Sequence, residues 1–175
     1  MAANREAERK NMSSTTTARR MGLIAATTLC AALALVGCAP APVAPTASEV
    51  WIKAVPDLVA GDMTGLFGTF TNDGSEIVYI TGGTAADASL TASKLDAHEV
   101  VKDASGKMVM QEVKTGIPVP AHGSVILKPG SYHIMFWNLK KPLVAGDKVT
   151  ATISFSNGTS REVTAVARDI SNYAG

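Results

Sequence analysis

The chain has 175 residues, a net charge of +1 at neutral pH, 46% apolar residues and two cysteines. This length suits one domain rather than two of full size. The small net charge argues against nucleic acid as the main partner, and two cysteines supply neither a disulfide framework nor a multi-cysteine metal site. The first 37 residues differ so much from the rest that whole-chain averages describe neither part.

Residues 1–37 have the pattern of a bacterial export signal. Five arginines and lysines precede an uncharged run of 14 residues from Leu23 to Val36. An apolar run of ~7–15 residues after a basic region is typical of a signal peptide, whereas a membrane span needs ~20. Arg19-Arg20 leaves twin-arginine export open, and initiation at Met12 or Met21 would give a shorter signal.

Cys38 ends the tetrapeptide Leu35-Val36-Gly37-Cys38, which resembles the lipobox of bacterial lipoproteins. A lipobox is cut before its cysteine, whose nucleophilic thiol takes an acyl lipid such as palmitate. We therefore expect Cys38 to anchor an extracytoplasmic protein to a bacterial membrane, at the cell membrane or the periplasmic face. The alternative is a buried cysteine at the end of an apolar helix.

Without residues 1–37, the remaining 11 Lys and Arg and 13 Asp and Glu give a charge near −2, and Cys38 is the one cysteine left.

Residues 38–48 follow as a tether rich in proline and alanine. Such a segment cannot build a core and extends ~3.1 Å per residue, so it reaches about 30 Å from the membrane. A ligand for a proline-binding domain is the alternative. The folded domain is expected at 49–170, with a short tail at 171–175.

Residues 49–170 contain short apolar runs separated by turn residues, which is typical of an all-β domain. Asp73-Gly74 and Asn157-Gly158 lie between such runs and predict hairpins, because these residues tolerate positive φ. Neither a sustained helical period nor an internal repeat is present. Short strands at this spacing predict a β-sandwich. The strands are predicted at 50–55, 64–71, 76–81, 94–102, 107–114, 124–128, 131–137, 148–155 and 161–167.

The sequence offers no set of residues suited to enzyme chemistry. Its serines lack a nucleophile elbow, no glycine-rich loop precedes a helix, and the acidic residues are scattered without a pair for acid–base work. We therefore expect a protein that is not an enzyme.

Histidine and methionine are instead concentrated, with six of them from residue 98 to residue 135, of which His98, Met108, Met110, His133 and Met135 form the pattern of interest. His133 and Met135 share one face of a strand because side chains alternate, and Ile134 then faces the core. The stretch 94–114 reads as a hairpin turning at 103–106. A register in which paired residue numbers sum to about 208 would place His98 opposite Met110, and a slip of one residue stays open. Two imidazoles and two thioethers would then surround one point.

Neutral nitrogen and soft sulfur ligands suit Cu(I). Mg²⁺ and Ca²⁺ prefer oxygen, and Zn²⁺ rarely takes methionine. A thioether also forms no disulfide, which suits an oxidising compartment. The alternative is that these side chains only pack, since methionine often fills cores. His122 is expected at the surface, and Met63 in the core or at the surface.

The run from His98 through Met110 to His133-Ile134-Met135 resembles the metal motif of the PCu(A)C periplasmic copper chaperones. Further matching segments include residues 116–120, 127–135, 139–143 and 145–147, and the resemblance spans roughly 50 to 156. It implies a cupredoxin-like Greek-key β-sandwich that binds Cu(I) through two histidines and two methionines. It also implies delivery of copper towards the dinuclear copper centre of cytochrome c oxidase, directly to subunit II or through a thiol relay protein.

Carried over by position, the ligands are His98, Met110, His133 and Met135, with Met108 as a substitute on the same face. The gap from His98 to Met110 is one residue longer than is usual in the family. The tail lacks the His- and Met-rich extension of some members, so a second copper site is not expected. We expect a monomer.

Other functions remain open at this point. The chain could be a structural or adhesive lipoprotein without metal, or a copper storage or resistance protein. An electron-transfer cupredoxin would need a cysteine thiolate, which residues 49–170 lack. A hydrolase would need a nucleophile–base pair.

Overall fold

A computed structural model describes residues 41–87, 89–90 and 94–170, and every regular element within these ranges is a β-strand. The predicted signal segment, the lipidation site Cys38 and the tail at 171–175 lie outside the described residues. Within the described ranges there is no helix of the length and apolarity that a bilayer crossing requires. The ten strands are β1 (Thr46–Lys53), β2 (Thr64–Asn72), β3 (Val78–Ala85), β4 (Lys94–Lys102), β5 (Met108–Glu112), β6 (Ile117–Val119), β7 (Gly123–Leu127), β8 (His133–Phe136), β9 (Lys148–Phe155) and β10 (Ser160–Arg168).

Seven of these strands form a closed barrel, in the order β4-β8-β2-β1-β10-β9-β3, and β3 pairs with β4 to complete the ring. Strands β5, β6 and β7 pair on the outside of this path with β4, β3 and β2. The pair β1–β10 is parallel, and the other pairs between these strands are antiparallel. The all-β prediction is confirmed, and the two expected layers are continuous through the β3–β4 contact.

Two adjacent glycines permit this closure. A Cβ atom on Gly82 would lie 2.3 Å from the carbonyl oxygen of Leu95 in β4, and one on Gly83 would lie 2.3 Å from that of Thr152 in β9. Real Cβ atoms do not approach backbone oxygens so closely. The absence of side chains therefore lets β3 pass between its two neighbours.

The two predicted hairpin turns have different outcomes. Asn157-Gly158 does join the paired strands β9 and β10, and Gly158 has φ +79°. The prediction at Asp73-Gly74 is wrong, because β2 and β3 do not pair with each other. There the buried Asn72 side chain donates to the carbonyl oxygens of Glu76 and Val119 and accepts from the Gly74 amide. These bonds fix the turn that follows β2.

Several strand boundaries also differ from the sequence prediction, most of all those of β1 and of β3, which is predicted at 76–81 and spans Val78–Ala85. Strand β1 begins at Thr46, inside the segment expected to be tether, and pairs there with Thr71. Strand β6 was missing from the prediction, since it has three residues and its middle one is Pro118. Tyr79 of β3 is the partner of Pro118, so proline occupies a short outer strand, as is usual.

The interior of the barrel is filled by aliphatic and aromatic side chains. Ile134 is fully buried in this core beside Leu66 and Phe136, as the alternation on β8 predicts. Its neighbours His133 and Met135 consequently point to the opposite face of the sheet. That face carries the candidate site.

Candidate metal centre

One face of the four neighbouring strands β5, β4, β8 and β2 collects the predicted ligands. His133 pairs with His98 across the β8–β4 ladder, and Met135 pairs with Asp96. Directly paired residues project to the same side of a sheet, as do residues two apart on a strand. His98, His133, Met135 and Met110 therefore share one face, although they come from three strands.

His98 and His133 are in direct contact. Their ring centroids lie 5.9 Å apart with an interplanar angle of 39°. Both residues are buried, with 8% and 4% of their surface exposed. A metal–nitrogen bond is about 2.0 Å long, so one ion can fit between two rings at this separation.

Each of these rings has a buried nitrogen without a hydrogen-bond partner, namely Nδ1 of His98 and Nε2 of His133. Buried polar atoms are nearly always paired, so two orphaned nitrogens on neighbouring rings call for a specific explanation. The other nitrogen of His133, Nδ1, lies 3.0 Å from the carbonyl oxygen of Ser131. A carbonyl can only accept, so Nδ1–H is the donor and Nε2 of the neutral ring keeps its lone pair. Metal-binding histidines are commonly oriented by such a bond.

Burial also keeps both rings in the neutral form. Loss of solvation lowers the pKa of His133 below its ordinary value of 6.5, against a smaller opposing effect of the Ser131 carbonyl. Loss of solvation and the neighbouring His133 lower the pKa of His98, while Asp96 and Glu112 act weakly in the other direction. Neutral imidazole is the form that binds a metal ion.

A pocket of about 250 Å³ lies beside these rings, and its lining is mainly apolar. His133, Met135 and Met110 all line it, whereas His98 and Met108 are outside the lining. Met135 is 3% exposed and Met110 is 53% exposed. Of the two predicted thioether ligands, Met135 is therefore buried and Met110 is near solvent.

The predicted register of the β4–β5 hairpin is wrong by two residues. Paired numbers sum to 210, so His98 faces Glu112 and Met110 faces Val100. The Asp103 carboxylate accepts hydrogen bonds from the amides of Ser105 and Lys107, which gives a five-residue loop, 103–107, instead of a shorter turn. A slip of two keeps every side chain on its face. Met110 is therefore a diagonal neighbour of His98, close enough for a long side chain to reach.

The structure also places the two remaining methionines of residues 49–170, Met108 and Met63. Met108 pairs with Lys102 next to the 103–107 loop, at the end of the hairpin away from His98. Met110 is therefore better placed to share an ion with His98 than Met108 is. Met63, expected only to pack or to lie at the surface, lines the same pocket as Met110 and Met135. It precedes β2 in a connecting segment, where no strand periodicity could have assigned it to a face. His122 is exposed, as expected.

Aromatic rings border the site on both sides. Phe67 lies 6.1 Å from His133 and 4.5 Å from Trp51 between ring centroids. On the other side Trp137 packs edge-on against His98 at 5.3 Å, and its indole nitrogen donates to Asp96. These rings limit access of water and fix the imidazole orientations.

The donor set at this centre is nitrogen and sulfur. Among the described residues there is no group of three His, Cys, Asp or Glu side chains placed to hold a metal ion. The thioethers of Met135 and Met110 line the adjacent pocket and could complete the shell of an ion held by both orphaned nitrogens. Such a shell fits a soft monovalent ion and does not fit Mg²⁺ or Ca²⁺.

Comparison with known sequences gives two matches. Residues 46–167 match the family described as "Putative lipoprotein LpqE-like". The chain is also 38% identical over 132 residues to "Putative lipoprotein Lxx21020" of Leifsonia xyli subsp. xyli, covering 73% of this chain and 74% of that protein.

Solved structures with a similar fold include two PCuAC domains. A copper-bound PCuAC domain from PmoF2 gives a TM-score of 0.56 at 16% identity, covering 73% of this chain and 94% of that one. The apo PCuAC domain from PmoF1 gives 0.54 at 15% identity, covering 73% and 95%. At this identity the likeness concerns the fold, and it confirms the predicted cupredoxin-like architecture.

Proposed function

The chain belongs to the LpqE-like lipoprotein family, and we propose that it is an extracytoplasmic, membrane-anchored carrier of Cu(I). The observation that carries this proposal is the pair of buried, unpartnered imidazole nitrogens on touching rings, next to a pocket lined by thioethers. The fold shared with a copper-bound PCuAC domain supports it. His98, His133, Met135 and Met110 are the proposed ligands, and copper is the cargo.

Each ligand type has a defined part in carrying copper. The neutral imidazoles bind Cu(I) without having to lose a proton, because burial lowers the pKa of both. Thioethers bind the soft ion but carry no charge, so they hold it less tightly than thiolates do. A thiolate-bearing acceptor can therefore take the ion by ligand exchange, in which the copper stays Cu(I) throughout.

The proposed acceptor is the dinuclear copper centre of cytochrome c oxidase, reached through subunit II or through a thiol relay protein. The proposed anchor is the lipid on Cys38. A lipoprotein on the outer side of the cell membrane would meet such acceptors in an oxidising compartment, where thioethers, unlike thiols, form no disulfides.

A Cu(I) competition titration of the full chain in detergent, without oxygen and against a chromogenic Cu(I) chelator, tests copper binding. We expect one tightly bound ion. Outer-shell partners alone are worth about 10–100-fold in metal affinity, so loss of a ligand in His133→Asn or Met135→Leu should cost more than about a hundredfold. The matched control is His122→Asn, because His122 is exposed with φ +49° and asparagine tolerates that conformation.

Absence of copper binding in the unsubstituted chain would contradict the proposal, and so would unchanged binding in both site variants. Thermal unfolding of each variant verifies that it is folded. The non-metal alternative, a structural lipoprotein, predicts His98 and His133 too far apart to share an ion, and their 5.9 Å ring separation disfavours it.

A further inference from the structure

Met63 is a third methionine at the pocket that holds Met110 and Met135. It comes from the segment before β2, whereas Met110 is on β5, so the two reach the pocket from opposite sides of the β4–β8 pair. Met63 is 38% exposed, intermediate between the buried Met135 and the more open Met110. Sulfur is thus available on two sides of the pocket and at its floor.

The position of Met63 is fixed by hydrogen bonds of both its neighbours. On one side, the carbonyl oxygen of Asp62 accepts from the Leu139 amide at 2.9 Å, and the Asp62 carboxylate accepts from the Val59 amide at 2.7 Å. On the other side, the buried Thr64 hydroxyl donates to the carbonyl oxygen of Lys53 at 2.7 Å. A residue held between two such anchors presents its side chain to the pocket in a reproducible way.

The space in front of Met63 is kept open by a glycine. Gly65 pairs with Met135 and lies on the site face of β2, so any side chain there would enter the pocket. A Cβ at Gly65 would lie 2.8 Å from the Phe67 ring. With glycine at this position, the lining near Met135 remains accessible to the thioether of Met63.

We propose that Met63 is a further thioether ligand of Cu(I), which binds the ion in the pocket from the β2 side. This inference rests on the copper binding proposed above. During transfer one copper–sulfur bond forms as another breaks, no electron is transferred, and the ion keeps a sulfur ligand while an acceptor approaches.

Methionine methyl NMR tests the assignment directly. Cu(I) is a d¹⁰ ion and does not broaden signals, so the full chain labelled with ¹³C at its seven methionine methyl groups can be followed as copper is added. The Met63 signal is assigned from its loss in Met63→Leu. We expect the Met63 and Met135 signals both to shift on copper binding.

The same variant is expected to weaken Cu(I) binding by about tenfold, which corresponds to about 1.4 kcal/mol. Val59→Ala is the control, because it alters an exposed apolar side chain of the same segment without removing sulfur, and it should leave the affinity unchanged. If Met135 shifts while Met63 does not, and Met63→Leu binds copper normally, the role of Met63 is refuted and the proposed function stands. If no methionine signal shifts, the proposed function fails as well.

Discussion

At the residue scale, the two central histidines determine how the copper-free protein responds to mild acid. Burial lowers the pKa of both His98 and His133 in the folded state, so below pH 6.5 the unfolded chain binds more protons than the folded one. The groups that face His98 with opposing charge, Asp96 and Glu112, only reduce this effect. The stability that the two neutral histidines contribute is therefore fully present above pH 6.5. It is lost as the pH drops from there towards their pKa values in the folded state.

We expect the free energy of unfolding of the copper-free chain to decrease between pH 7 and pH 5. The limiting slope is about 1.4 kcal/mol per pH unit for each proton taken up. Urea unfolding at a series of pH values measures it. A double variant, His98→Gln with His133→Gln, should lose most of this slope. An equal slope in the double variant would assign the acid sensitivity to other groups.

Asp87 and Asp103 affect the free energy of unfolding in a different pH range. Hydrogen bonds from Lys141 and Ser89 lower the pKa of Asp87, and bonds from Ser105 and Lys107 lower that of Asp103. Both carboxylates have an ordinary pKa of 3.8, which the fold lowers. Their contribution to the free energy of unfolding is therefore lost only at pH values below those at which the histidines act. The histidine effect between pH 7 and pH 5 can therefore be measured separately.

At the element scale, closure of the barrel depends on the glycines of β3. Gly82→Ala would place a Cβ 2.3 Å from the Leu95 carbonyl oxygen, at a position with φ +131°. Clash and strain together should lower the free energy of unfolding by about 2 kcal/mol or more. Gly106→Ala is the matched control, since Gly106 has φ +83° but open space around it, and should cost about 1 kcal/mol.

Chemical denaturation of the two variants measures the difference. If Gly82→Ala costs no more than Gly106→Ala, the β3–β4 contact is able to separate without loss of stability, and the barrel is better described as one continuous sheet that is open at this edge. The position of β4 matters for the site because β4 carries His98 and supports β5.

Strand positions were predictable from the sequence to the extent that they depend on local alternation. The predicted ranges 94–102 and 148–155 coincide with β4 and β9. The shared face of His133 and Met135 also follows from the period of two alone. The register of β4 on β5 could not be predicted, because side-chain bonds of Asp103 determine the loop length. The pairing of His98 with His133 brings together residues from distant parts of the chain, which local patterns do not encode.

At the scale of the whole molecule, the N-terminal segment and the pocket lie at opposite ends of β1. Asn157 donates to the carbonyl oxygen of Val43, and Arg161 donates to those of Ala44 and Pro45. Lys53, at the other end of β1, lines the pocket. Seven residue steps at ~3.3 Å separate Thr46 from Lys53, or about 20 Å allowing for the bulge between Ser48 and Trp51.

This arrangement shortens the free part of the expected tether. The chain is bound to the barrel from Val43 onward, and five residue steps from Cys38 span at most about 18 Å. The lipid proposed on Cys38 would then lie within this distance of Val43.

Release of residues 43–45 from the barrel should leave the copper pocket intact. In the double variant Asn157→Ala with Arg161→Ala, we expect amide hydrogen exchange at Thr46, Ala47 and Ser48 to accelerate by about tenfold or more, because local opening loses its restraints. Exchange at Ile52 and the Cu(I) affinity should stay unchanged, since the bulge at Glu49, with φ +53°, separates the two halves of β1. Unchanged exchange at residues 46–48 would show that these hydrogen bonds do not hold the segment. A change in copper affinity would instead show that the anchored end and the pocket are energetically coupled, and membrane attachment could then regulate copper binding.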